Sequence, residues 1–274
     1  MFYLKKHILR HISFFALVLS STCLQAQPAA LTKSASLLDF KVVKTFPHDT
    51  SHYTEGLVFR GGKLLESAGQ YGASGLYEIE LKTGKILRSR KIDPQFFAEG
   101  IAVAGDRIVQ LTWREQTAFV YDLSFNLVGK LNYSGEGWGL SSFDEGKQLV
   151  MSNGSPVLRF LDGKGYHFLR QITVHDGAAE VMRLNELEVA NGLIYANVWL
   201  TDMIVVIDPA DGHVVNWLDL SSLKNMFKKA ANWNEVDNVL NGIAYDPRSG
   251  HFYVTGKYWP VLFEISIETP KRKH

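Results

Sequence analysis

The chain of 274 residues has a single cysteine, Cys23. An internal disulfide framework and a cysteine-rich zinc site are therefore excluded. It has no excess of charge of either sign, with 29 Lys and Arg against 28 Asp and Glu. That excludes a disordered polyelectrolyte and removes any electrostatic argument for a nucleic-acid partner. Its N-terminal apolar run is too short to span a hydrocarbon core of about 30 Å. What it does have is 23 glycines and 12% aromatic residues. That mixture suits an all-β protein with many turns.

The first 26 residues have the pattern of a secretory signal peptide. Lys5, Lys6 and Arg10 form a basic start, Ile12 to Leu19 an apolar centre, and Leu24-Gln25-Ala26 a cleavage site ending in a small residue. Lipidation at Cys23 fits poorly, because Ser20-Ser21-Thr22 precede it. Cleavage after Ala26 leaves a cysteine-free chain that must be stable by packing alone, which its length permits. The expected location is the periplasm or the outside of the cell, with no membrane segment left after cleavage. Residues 27–38 are expected to be a flexible lead-in, 39–268 the folded domain, and 269–274 a basic tail.

Five segments share one pattern: an apolar strand, a glycine turn, a second strand, then a third with alternating apolar residues. The turn glycines Gly62, Gly105, Gly146, Gly192 and Gly250 are spaced by 43, 41, 46 and 58 residues. A 40–50-residue period with about four strands per unit predicts an all-β, five-bladed β-propeller. The orphan strand Phe40–Phe46 precedes the first unit, and the last unit lacks a fourth strand. The N-terminal strand is therefore expected to complete the last blade and close the ring, leaving no exposed sheet face. Within the longest spacing, Ser221–Asp237 has Leu223, Met226, Phe227 and Ala230 at helical intervals. That predicts a short surface helix or a lid.

In a propeller the innermost strands line a central channel, so residues at their entry converge. Here these are Tyr53-Thr54-Glu55-Gly56, Phe97-Ala98-Glu99-Gly100, Gly135-Glu136-Gly137-Trp138-Gly139, Asn185-Glu186-Leu187-Glu188 and Leu240-Asn241-Gly242. Each is compatible with an ordinary turn. Together they crowd carboxylates near an axis, where like charges raise one another's pKa unless a cation joins them. The site should hold a protonatable Glu, a metal, or both. Second strands end in Thr112-Trp113, Ser152-Asn153-Gly154, Asn197-Val198-Trp199 and Lys257-Tyr258-Trp259. Trp113, Trp138, Trp199 and Trp259 suit either blade packing or the walls of a small-ligand pocket.

YTEGLVF, FAEGIAV, LTW, GWGL, LNELE, ANVW, LNGIAYD and TGKYWP, in this order from about Phe40 to Ile265, resemble the glutamine cyclotransferase family of plant and bacterial type. The resemblance implies a five-bladed propeller that converts an N-terminal glutaminyl residue of peptides or proteins to pyroglutamate, with release of ammonia. It implies Glu99 as general acid/base with Phe97 desolvating it, and Lys257 as donor to the oxyanion or a substrate carbonyl. Tyr53, Trp113, Trp138 and Trp199 would form the pocket. Asn153 and Asn197 would clamp the substrate amide. Glu55 would contact the substrate and, by its charge, raise the pKa of Glu99.

No catalytic metal or other cofactor is expected, and the protein is expected to act as a monomer. His48, His52, His167, His175, His213 and His251 are scattered in the sequence. A calcium in the channel, held by main-chain carbonyls and Glu188, is compatible with the sequence and would be structural. Two other functions compete. A calcium-dependent propeller lactonase or esterase would use Glu55, Glu188, Asn153 and Asn241 as ligands, but leaves Lys257 and the indoles unexplained. A non-enzymatic binding propeller requires an exposed apolar patch on the rim.

Overall fold

Each repeat unit folds as a four-stranded antiparallel sheet in the computed structural model, which describes residues 34–268. From the axis outward, blade 1 is Tyr53–Arg60, Lys63–Gly69, Gly75–Glu80 and Ile86–Lys91. Blade 2 is Ala98–Ala104, Arg107–Thr112, Thr117–Asp122 and Leu127–Asn132. Blade 3 is Leu140–Phe143, Gln148–Met151, Val157–Asp162 and Phe168–Thr173. Blade 4 is Leu184–Ala190, Leu193–Val198, Met203–Ile207 and Val214–Asp219. Blade 5 is Leu240–Asp246, His251–Gly256 and Val261–Ile267, with Phe40–Pro47 as its outer strand.

The N-terminal strand therefore closes the ring. Its register runs antiparallel from Phe40 opposite Ile267 to Pro47 opposite Val261. The five repeat glycines all sit at positive φ, between 60° and 84°, in the turns from first to second strand. This left-handed conformation costs glycine nothing and other residues a clash at Cβ.

The apolar faces are buried between blades. One cluster of buried side chains joins each neighbouring pair: blades 1 and 2 through Leu76, Ile101 and Phe119; 2 and 3 through Leu111, Leu140 and Leu149. Leu158, Leu187 and Val205 join 3 and 4; Tyr195, Ile243 and Phe263 join 4 and 5; Leu57, Ala244 and Leu262 join 5 and 1. Burying each large apolar side chain contributes about 1.5–3 kcal/mol. No blade buries its faces without both neighbours, so the ring holds its inner strands in fixed positions around the axis.

Two segments differ from expectation. Ser36–Leu37, in the stretch read as a flexible lead-in, pairs in parallel beside Asn216 and Trp217 of blade 4. Asp176 anchors it by accepting hydrogen bonds from Ser34 Oγ and Ala35 N–H. In Ser221–Asp237 only a five-residue 3₁₀ turn, Ser221–Asn225, is helical. Leu223, Phe227 and Trp233 pack into the core between blades 4 and 5, while Met226 and Ala230 face solvent. Asn234 and Asn238 replace helical bonds by side-chain bonds to the main chain of Val236 and Asn234. The leader 1–26 and the tail 269–274 lie outside the described residues. Among the described residues no helix is long and apolar enough to cross a membrane.

Candidate active site

Four innermost strands open with a β-bulge, at Thr54–Gly56, Ala98–Ile101, Leu184–Leu187 and Leu240–Ile243. A bulge adds a residue to one strand and re-aims its side chain. The bulges hold Glu55, Glu99, Asn185 with Glu186, and Asn241, the polar residues that recur in the sequence. The neighbouring glycines are where the strands come closest. A Cβ on Gly139 would lie 2.0 Å from the carbonyl oxygen of Asn185 in the next blade. Blade 4 puts Glu186 where the other four have glycine. Its buried carboxyl accepts hydrogen bonds from the N–H of Leu57 in blade 1 (3.1 Å) and of Ile243 in blade 5 (2.8 Å).

A cavity of about 180 Å³ opens over this layer, lined by Tyr53, Glu55, Gln70, Phe97, Glu99, Trp113, Trp138, Asn185, Trp199 and Lys257. Eight of the ten residues singled out from the sequence are in this lining. The other two are not. Asn153 sits in a turn, where its Oδ1 accepts from Ser155 N–H and Oγ. Asn197 is buried behind the cavity and accepts from Gly242 N–H. The pocket amides are Asn185 and Gln70. Asn185 stands in the same bulge position as Glu55 and Glu99, a signal present in the sequence; Gln70 carried none. Trp259 is not a wall: it is fully buried in the core, its indole N–H donating to Asn238 O. A larger groove of about 620 Å³ runs between blades 2 and 3, but none of its titratable side chains is buried.

Three ionisable groups meet at the cavity floor. Lys257 Nζ donates to Glu55 Oε1 at 2.6 Å, with both side chains buried. Its ammonium also lies 4.2 Å from the Tyr53 ring centroid, a cation–π contact. Asn241 donates to the other oxygen of Glu55 at 3.1 Å. Glu99 is hydrogen-bonded to Glu55. Burial lifts the pKa of Glu99 well above the carboxylate range, and the Glu55 charge lifts it further. Burial raises Glu55 less, because the Lys257 ammonium opposes it. Burial lowers the Lys257 pKa, but the Glu55 carboxylate outweighs that and raises it above its ordinary value. Burial and the Glu55 charge thus favour a proton on Glu99, while the Lys257 ammonium favours the charge on Glu55.

The walls are aromatic. Trp138 meets Trp199 edge-on at 5.4 Å between centroids. Phe97 contacts both Trp113, at 5.7 Å, and Tyr53, at 6.0 Å. Asn185 Oδ1 is buried and has no hydrogen-bond partner among the described residues. A buried acceptor left open is costly unless a ligand completes it. Glu136, read as one of the converging carboxylates, lies outside the cavity lining.

Two of the scattered histidines prove to be neighbours. His48 Nε2 lies 3.1 Å from Glu66 Oε1, and His52 Nδ1 lies 2.9 Å from Glu66 Oε2. Thr54 Oγ1 donates to Glu66 as well, at 2.7 Å. His48 Nδ1 faces the carbonyl oxygen of Trp259 at 2.6 Å, so that nitrogen carries a hydrogen. With an ionised carboxylate at its other nitrogen, His48 is an imidazolium. Burial opposes that charge, but Glu66 outweighs it and raises the His48 pKa. The imidazolium in turn holds Glu66 far below its usual value against its own desolvation. Among the described residues this is the one trio with divalent-ion ligand spacing. An ion there would have to displace these internal hydrogen bonds. Glu188 is no freer for a calcium, since it accepts from Tyr245 N–H at 2.9 Å and Ser141 Oγ at 3.2 Å.

The chain matches the glutamine cyclotransferase family over residues 15–267. A glutaminyl-peptide cyclotransferase of Arabidopsis thaliana is 36% identical over 252 residues, covering 91% of this chain and 78% of that protein. The crystal structure of Myxococcus xanthus glutaminyl cyclase is similar at a TM-score of 0.78 and 35% identity, covering 85% of this chain and 98% of that one. With its family match spanning nearly the whole described ring, the chain belongs to the glutamine cyclotransferase family.

Proposed function

We propose that this propeller is a glutaminyl-peptide cyclotransferase, closing the N-terminal glutamine of peptides or proteins to pyroglutamate and releasing ammonia. One observation carries the reading: the buried Glu99, its pKa lifted by burial, beside the Glu55–Lys257 ion pair on the floor of an indole-walled cavity. The lining contains no Ser, Thr, Cys or His to act as an enzyme nucleophile. The substrate supplies its own, the α-amine.

The neutral α-amine attacks the side-chain amide carbon. The new C–N bond forms as the carbonyl π pair moves to oxygen. The attacking nitrogen passes a proton to the Glu55–Glu99 pair, and Glu99 delivers a proton to the amide nitrogen. The carbonyl re-forms, the old C–N bond breaks and ammonia leaves. The pair starts and ends with one proton. Lys257 has N–H groups beyond the one given to Glu55, and one of these stabilises the oxyanion. The open Asn185 oxygen accepts from the substrate's amine or amide. The walls fold the side chain back on the amine, which supplies proximity.

The test is ammonia release from a short Gln-initiated peptide against an Asn-initiated control, which would need a strained four-membered ring. Ammonia from neither peptide would sink the reading. We further propose export, on the pattern of residues 1–26. A secreted mature protein starting at Gln27, itself open to cyclisation, is the expected product, read by intact mass.

A further inference from the structure

Glu136 stands just outside the pocket and touches two of its walls. Its Oε2 accepts from Trp113 Nε1 at 2.9 Å and from Trp138 Nε1 at 3.0 Å. These indoles come from different blades, Trp113 from the end of a strand in blade 2 and Trp138 from the entry to blade 3. Glu136 Oε1 accepts from Arg114 Nε at 3.2 Å, and that guanidinium stacks 3.7 Å from the Trp113 ring centroid. Trp113 is thus held at its edge by the carboxylate and on its face by the cation the carboxylate orients. The loop itself is tied by main-chain bonds, Gly137 N–H to Trp113 O at 3.0 Å and Trp138 N–H to Ser152 O at 3.1 Å. Main-chain bonds thus share in holding the loop's path, while the Glu136 side chain reaches both indoles. Burial acts to raise its pKa, but hydrogen bonds from Trp138, Trp113 and Arg114 outweigh it and keep Glu136 ionised.

We propose that Glu136 is a positioning residue for substrate recognition: one carboxylate oxygen clasps the Trp113 and Trp138 indoles and fixes the slot that receives the glutaminyl side chain. The inference rests on the cyclotransferase reading and deepens it. An indole has one N–H, and without an acceptor each ring gains rotamers that narrow or open the slot. The clasp acts on the ground-state fit of the side chain and touches no reacting atom. Its loss should appear in KM before kcat.

The experiment compares Glu136→Asp with Glu136→Gln. Asp keeps the charge but is one methylene shorter and cannot reach both indoles. Gln loses the charge but keeps a carbonyl oxygen able to accept from both. The expected result is a KM for a Gln-initiated peptide raised about tenfold or more in Glu136→Asp, with kcat within about threefold, and KM in Glu136→Gln within about threefold of wild type. A charge role predicts the reverse order. That order, or an unchanged KM in Glu136→Asp, overturns the clasp. Acrylamide quenching of the substrate-free proteins reads the indoles without turnover, and should rise in Glu136→Asp alone. If the wild type releases no ammonia, the cyclotransferase reading falls while the quenching order still decides the clasp.

Discussion

Lys257 and Glu55 are 202 positions apart in the chain and meet at 2.6 Å in the floor of the pocket, where Glu99 from a third segment joins them. Blade 5 brings the ammonium, blade 1 the carboxylate and blade 2 the proton. The ion pair is buried, and burying one of its members alone would be strongly unfavourable. Each therefore requires the other. Glu99 next to an ionised Glu55 cannot also ionise cheaply, which is the condition for a carboxyl group that still holds a proton near neutral pH. Phe40–Pro47 completes blade 5, whose second strand ends just before Lys257.

Replacing Glu99 by Gln keeps its size and hydrogen bonding but removes the transferable proton. Ammonia release should fall by about 10²-fold or more, the usual worth of a general acid/base. Thermal unfolding should be little changed. More than about a tenth of wild-type activity in a folded Glu99→Gln protein contradicts the assignment.

Glu55→Gln tests the coupling. Removing the Glu55 charge takes away a cause of the raised Glu99 pKa and leaves the Lys257 ammonium to act on Glu99 instead. Both changes lower the Glu99 pKa. The falling, alkaline limb of kcat/KM against pH, where Glu99 loses its proton, should move to lower pH. The rising limb, set by the substrate's α-amine with a pKa of about 8, should stay in place. An alkaline limb that stays put or moves upward refutes the dyad.

Lys257→Ala separates two roles for the ammonium. If Nζ meets the oxyanion, kcat falls while KM changes little. If it holds the ground-state carbonyl, KM rises at constant kcat. The first outcome is expected, because Nζ sits on the cavity floor beside the proton-carrying group.

The propeller was legible because its signal is repeated. Five glycine turns and five alternating strands repeat one pattern, and the unpaired Phe40–Phe46 had one unfinished blade to join. The site residues on bulges were legible for the same reason: Glu55 and Glu99 are flagged by a following glycine, which packs where blades converge. Asn185 is among the converging residues in the sequence, but Glu186 replaces the following glycine, so it lacks the second flag that Glu55 and Glu99 have. Asn153 and Asn197 lie outside the cavity lining, because an amide at the end of a second strand need not face the pocket. Asn153 turns back on Ser155, and Asn197 points to Gly242. The His48–Glu66–His52 trio depends on a contact between the loop before blade 1 and its second strand, and no repeat announces it. The helix expected after Ser221 failed because Leu223 and Phe227 pack on the core between blades 4 and 5 while Met226 and Ala230 face solvent.

That trio should act as a brace. Besides His48 holding Trp259 O, the carbonyl of His52 accepts from Tyr258 N–H at 2.8 Å, so the loop after Lys257 is tied to blade 1. Glu66→Gln leaves an imidazolium without its counter-charge. Denaturant unfolding should show a loss of about 3–5 kcal/mol, as for other buried pairs broken on one side. Exhaustive chelation should leave wild-type activity and the unfolding midpoint unchanged. A fall in either that one added metal reverses shows that an ion, not a proton, joins His48 to Glu66.

Glu188 gives a stability prediction with a definite sign. Burial pushes its carboxyl up to about 8, against the hydrogen bonds from Tyr245 and Ser141. In the unfolded chain the same group titrates near its ordinary value of about 4.3. Between these two pH values the folded protein binds a proton that the unfolded chain has lost. Glu188 therefore favours folding fully below about pH 4.3 and progressively less as pH rises through about 8. Glu188→Gln keeps an oxygen for Tyr245 N–H and an amide for Ser141, and it never has to ionise. Its melting temperature relative to wild type should climb from pH 5 to pH 9. A difference that stays constant across that range would mean that Glu188 titrates alike in the folded and unfolded protein, and that burial near the axis does not hold its proton.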